Sequence, residues 1–93
     1  MTRKEIKEMY KAWRAQYRNH RPNRAIVRMY WEDEGAEETH TDTIALRTYD
    51  INVKDDEGVL FYAGGLKGLL DLMRPDNGSD FVVTEVIQFY REK

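Results

Sequence analysis

Residues 1–20 read MTRKEIKEMYKAWRAQYRNH, and the spacing within them decides how the rest of the chain must be arranged. Ile6, Tyr10, Trp13 and Tyr17 recur at intervals of four, three and four, so they share one side of a helix. Lys4, Lys7, Lys11, Arg14 and Arg18 form a second stripe, centred about 120° around the helix from the first at roughly 100° per residue. The aromatic side is expected to pack and the five cations to stay in water. Thr2 and Glu5 have capping-box spacing, which starts the helix at about residue 3. Its interior lacks Gly and Pro, and Asn19, His20 and Pro22 end it, because a proline pushes the preceding residue out of helical backbone.

Beyond Arg24 the period drops to two. Ala25, Val27, Met29 and Trp31 alternate with Ile26, Arg28 and Tyr30, giving a strand with one apolar face. The acidic run at 32–38 then reads as a hairpin loop, and THTDTIALRTYDINV at 39–53 as extended chain. Ile44 and Leu46 are out of phase with Tyr49, Ile51 and Val53, so a bulge or bend near Arg47 or Thr48 is expected. KDDEG at 54–58 reads as a second hairpin loop leading into VLFYA at 59–63. Leu66, Leu69, Leu70 and Met73 then mark a short helix over 65–74, closed by Pro75. PDNGSD is a turn in which Asn77 and Gly78 favour left-handed backbone, and FVVTEVIQFY at 81–90, apolar on both faces, reads as a central strand.

These elements predict one α+β domain over 1–93: an N-terminal helix, an antiparallel three-stranded meander, a short second helix and a fourth strand, in the order α-β-β-β-α-β. Both helices are expected on one face of the sheet. With 41% hydrophobic and 34% charged residues, the chain is too apolar for a disordered tail and too charged to lie in a bilayer. A cytoplasmic protein is the expectation.

The residues offer little chemistry. Cysteine is absent, which excludes disulfides, thiolate metal sites and a cysteine nucleophile. His20 and His40 have no second His three or four residues away, and Ser79, the only serine, lacks a hydrolase elbow. Gly64, Gly65, Lys67 and Gly68 stand where a phosphate loop would, without its Lys-Ser/Thr; a tight turn that lets Gly68 approach the sheet fits better. Asp76, Asn77, Ser79 and Asp80 lack the register of a calcium loop and read as turn chemistry. No catalytic residue, metal or cofactor is expected.

Charge carries the functional signal. Residues 1–30 hold nine Lys or Arg against two acids, a balance of +7, and residues 31–93 hold six against fifteen, a balance of −9. Either the two poles neutralise one another as weak surface pairs, or at least one is an interaction surface. The functional expectation is a non-enzymatic binding protein, an inhibitor that engages a nucleic-acid-handling protein. Glu32, Asp33, Glu34, Glu37 and Glu38 in one loop and Asp55, Asp56 and Glu57 in another would present carboxylates in place of phosphates. The two loops lie at opposite ends of the sheet if alternate strands project them, which would halve the effect. In size and charge, not in any motif, the chain resembles phage and mobile-element inhibitors of host nucleic-acid machinery, anti-CRISPR proteins among them. The alternative is direct nucleic-acid binding through Lys4, Lys7, Lys11, Arg14, Arg18, Arg21 and Arg24. The element order is also that of a double-stranded RNA-binding domain, but of that fold's second-helix lysine cluster only Lys67 is present. A third reading is a homo-oligomeric structural protein joined along an exposed strand edge; a monomer or a homodimer is expected.

Overall fold

The computed structural model describes residues 1–47, 54–55, 58–59 and 61–92, with backbone alone at 54–55 and 58–59. Two helices accompany a four-stranded sheet: α1 (Arg3–Gln16), β1 (Arg24–Trp31), β2 (His40–Ala45), β3 (Lys54–Asp55), β4 (Gly58–Val59), β5 (Phe61–Tyr62), α2 (Gly65–Asp71) and β6 (Phe81–Tyr90). The fold is α+β.

The capping box at the start of α1 is formed. Glu5 N–H donates to the Thr2 hydroxyl at 3.1 Å, and Thr2 N–H donates to the Glu5 carboxylate at 2.9 Å. The Thr2 backbone N–H foremost, and then the Thr2 hydroxyl, hold the Glu5 carboxyl below its ordinary pKa. Ile6 is fully buried, and Met9, Tyr10 and Trp13 pack against the same core, with the Tyr10 ring edge-on to Phe89 at 5.3 Å. Tyr17 departs from the expected stripe, being 47% exposed. It sits one turn beyond Trp13, which already meets the end of β6, so its ring stacks on Trp13 at 4.4 Å instead of entering the core.

After Tyr17 the chain reverses through Arg18 and Asn19, both left-handed at φ 56° and 64°. Asn19 N–H reaches back to Arg14 O at 2.7 Å and His20 N–H to Tyr17 O at 3.1 Å, which closes the helix end. Asparagine tolerates this backbone, whereas arginine pays about 1 kcal/mol for it. Arg18→Gly should therefore raise the thermal midpoint by a few degrees, roughly 4 °C, in a circular-dichroism melt. An unchanged or lower midpoint would mean that Arg18 does not hold this conformation in solution.

The sheet is mixed, not the expected antiparallel meander. Its order is β5-β2-β1-β6; β1 is antiparallel to both neighbours, while β5 runs parallel to β2, with Phe61 opposite Ile44 and Tyr62 opposite Ala45. A parallel partner cannot be reached by a tight hairpin. The chain instead leaves β2 at a bend at Arg47, and the second hairpin forms a separate two-stranded sheet, Lys54 opposite Val59 and Asp55 opposite Gly58. Lys54, Asp55 and Gly58, read as loop, are thus the ends of β3 and β4. The extended reading of 39–53 holds for 40–45; Thr48 and residues 49–53 lie outside the described residues.

The last strand is an edge strand, not a central one. Phe81, Val83, Val86 and Phe89 stand opposite Trp31, Met29, Val27 and Ala25, and the register slips twice, between Ile26 and Val27 and between Arg28 and Met29. Each slip is a bulge that changes the phase of β6, so residues of both parities reach one core. That core joins Ile6 of α1 and Leu69 and Leu70 of α2 to Ala25, Val27 and Met29 of β1. The second helix is shorter than expected: it ends at Asp71, and Met73 N–H bonds Leu70 O in a tighter turn.

Candidate functional site

The hairpin between β1 and β2 presents Glu32, Asp33, Glu34, Glu37 and Glu38, all exposed. Gly35, at φ 90°, makes the reversal, with Glu34 and Gly35 N–H groups on Trp31 O at 3.0 and 3.1 Å. Phe81 is paired with Trp31, so the turn before β6 emerges beside this loop. Glu32 N–H donates to Asp80 O at 2.9 Å, and Asp76 N–H donates to the Glu32 carboxylate at 3.2 Å. A cleft of about 490 Å³ lined by Trp31, Glu32, Asp33, Glu34, Ser79 and Asp80 results. Sequence reasoning did not join Asp76 and Asp80 to the acidic loop, because their meeting depends on which strand β6 pairs with.

Within the 75–80 turn, the expected turn chemistry is present with one change. The Asn77 amide donates to Leu72 O at 3.0 Å and Phe81 O at 3.1 Å, and accepts from Ser79 N–H at 2.8 Å. The left-handed residues are Asp76 and Gly78, not Asn77. Among the described residues no three carboxylates or imidazoles gather as a metal-binding group. Of the second acidic loop, Asp56 and Glu57 lie outside the described residues, and Asp55 is known only by its backbone pairing in β3.

The opposite end of the sheet is basic. With eight residues at about 3.3 Å each, β1 separates the two ends by about 25 Å. Arg14, Arg21 and Arg47 line a cleft of about 450 Å³ on one side of α1's last turn. On its other side Trp13, Tyr17, His20, Gln88, Tyr90 and Arg91 line a second cleft of about 410 Å³. His20, exposed, belongs to this cleft as well as to the helix end. Lys4, Lys7, Lys11, Arg18 and Arg21 are exposed and Arg14 is half-buried. Arg24 is removed from the expected basic surface: it is 3% exposed and donates to Asn23 O at 3.1 Å. It alternates with Ala25 and so points away from the core that Ala25 enters. Arg28, on the same side as Arg24, pairs with Glu85 at 3.0 Å.

Among the described residues no ion pair joins a cation of α1 to the 32–38 loop, and Arg28 pairs with Glu85 across β1 and β6. No described helix is long and apolar enough to cross a membrane. Compared with known proteins, the chain matches no family model, no curated protein and no solved structure.

Proposed function

We propose that this chain is a non-enzymatic binding protein whose acidic end docks on the basic groove of a nucleic-acid-handling protein and blocks it, as phage and mobile-element inhibitors of the anti-CRISPR kind do. Support comes from one observation: the turn carrying Asp76 and Asp80 is hydrogen-bonded onto the loop carrying Glu32, Asp33 and Glu34. Two acidic segments are thereby pooled at one end, with Arg74 the cation of the neighbouring turn and Arg14 and Arg21 about a sheet length away. Like charges held together in this way raise a local potential that draws a basic partner and set its register.

The test is a pull-down from the native host with the wild type and with Glu32, Asp33 and Glu34 all changed to Lys. The wild type should retain a partner that added DNA or RNA displaces, and the charge-reversed variant should lose it. Identical partner lists would end the reading.

A second reading, direct binding of nucleic acid through the basic side of α1, is favoured by the exposure of Lys4, Lys7, Lys11 and Arg18, none of them ion-paired among the described residues. Arg24 drops out of it for the reason given above.

A further inference from the structure

The basic end carries more than charge. Tyr17 is an aromatic ring left nearly half in solvent yet held in place, because its face rests on Trp13 at 4.4 Å with the planes 28° apart. A ring fixed on one face and open on the other is a stacking platform, and every nucleic-acid base has a π-face to offer it. The cleft around it supplies the His20 ring and Tyr90 as further flat groups and the Gln88 amide as a donor and acceptor for a base edge.

Cations flank this platform on both sides. Arg91 follows the end of β6, and its guanidinium donates to Arg21 O at 2.7 Å, which ties the chain after β6 to the turn after α1. Arg21 opens onto the neighbouring cleft with Arg14. Of the described residues lining either cleft, none is acidic. The carbonyl end of a helix ordinarily repels a phosphate. Here that end is closed, since Trp13 O, Arg14 O and Tyr17 O accept from Tyr17, Asn19 and His20 N–H groups, and Arg14 and Arg18 stand beside it. An extended strand edge is a poorer explanation of the cleft, because the two bulges in β6 spoil the regular ladder an added peptide strand would need.

We infer that the two clefts around the last turn of α1 form one binding surface for a short stretch of single-stranded nucleic acid, with an unpaired base stacked on Tyr17 and its phosphates held by Arg91, Arg21 and Arg14. The inference rests on and narrows the second reading: it names the unpaired strand over the duplex and places binding at the helix end, not along the lysines. It is independent of the acidic end.

Labelled single-stranded DNA and RNA oligonucleotides and the duplex of the same sequence, titrated with the full chain and followed by fluorescence anisotropy at low and moderate salt, decide it. Single strands should bind at least about tenfold tighter than duplex, and Tyr17→Ala should lose about tenfold in affinity for them. Arg91→Gln, which removes the charge but keeps an amide donor for Arg21 O, should weaken binding and flatten its salt dependence. In a Trp31→Phe background, which leaves Trp13 as the sole tryptophan, single strands should quench the emission. Equal affinity for duplex, or unchanged affinity and quenching in a folded Tyr17→Ala variant, overturns the inference. If such binding then fails with Lys7→Glu and Lys11→Glu, phosphate tracking along α1 survives without the stacking site. No binding at low salt overturns both and leaves the acidic-end proposal untouched.

Discussion

Gly68→Ala should destabilise the protein by about 3 kcal/mol or more, enough to consume much of the roughly 5–14 kcal/mol a chain of this length has. A Cβ built on Gly68 would overlap the Ala63 carbonyl oxygen and stand 2.6 Å from its carbon. Backbone cannot swing aside as a long side chain can. Ala63 N–H is bonded to Ala45 O at 2.9 Å, and Leu69 and Leu70, which follow Gly68, are core residues, so neither side of the clash is free to retreat. The requirement is for space and not for a left-handed torsion. Gly35→Ala separates the two causes, because Gly35 has φ 90° and nothing within 4 Å of a built Cβ. It should cost only about 1 kcal/mol, the ordinary penalty of a side chain in left-handed backbone. Urea midpoints of the two variants against the wild type measure the difference. Equal midpoints would mean that α2 does not approach the end of β5 as closely as described.

The GGLKG segment shows what the sequence made legible and where it stopped. A glycine in the first turn of a helix after a strand implies close approach, and that is where Gly68 stands. The same local logic recovered the capping box, the bounds of β1 and β6 and the acidic hairpin, since each is written in neighbouring residues. Partner choice is not written locally. The two-faced composition of β6 reads as burial on both sides when the phase is constant; two bulges bring Phe81, Val83, Val86 and Phe89 onto the core face of an edge strand, with Val82 buried outside that core. A phase slip was also expected near Arg47 or Thr48, as a bulge or a bend; the chain does bend at Arg47, just past the end of β2, and Tyr49, Ile51 and Val53 lie outside the described residues.

The same distinction explains the surfaces. Glu32, Asp33 and Glu34 could be grouped by eye, but Asp76 and Asp80 join them only through the pairing of Phe81 with Trp31. Tyr17 has the spacing of a core residue, and only the length of the sheet under α1 decides that it lies past the edge. In both places a long-range register changed the meaning of a correct short-range pattern. The charge asymmetry of the chain becomes an asymmetry of the molecule for the same reason: β1 carries the acidic hairpin at one end and follows the arginine-rich turn at the other.

Asn23→Asp should be the other severe substitution, at about 2–4 kcal/mol near neutral pH, although it changes one atom type and almost no volume. Asn23 is 3% exposed. Its amide nitrogen donates to Glu92 O at 2.8 Å, and its amide oxygen accepts from Glu92 N–H at 2.7 Å, so the side chain imitates one more rung of the β1–β6 ladder. Its backbone meanwhile donates to Tyr90 O at 3.1 Å and accepts from Leu46 N–H at 2.9 Å, which gathers the ends of β1, β2 and β6 at this residue. An aspartate keeps the bond from Glu92 N–H but sets its second oxygen against Glu92 O, two acceptors with no proton between them in a buried place. Protonating the new carboxyl restores a donor. Its folded-state pKa is therefore raised above the unfolded value, because the folded protein favours the neutral acid. The deficit relative to wild type is then largest above that folded pKa and shrinks as the pH falls through it, the reverse of the usual loss of stability in acid. Urea denaturation of both proteins at a series of pH values reads the difference directly. The Arg24 guanidinium, 3.1 Å from Asn23 O, is the group that could defeat this outcome by turning onto the new carboxylate. A deficit that is small at neutral pH and grows on acidification would show that it does, and that the Asn23 amide pair is not what closes this end of the sheet.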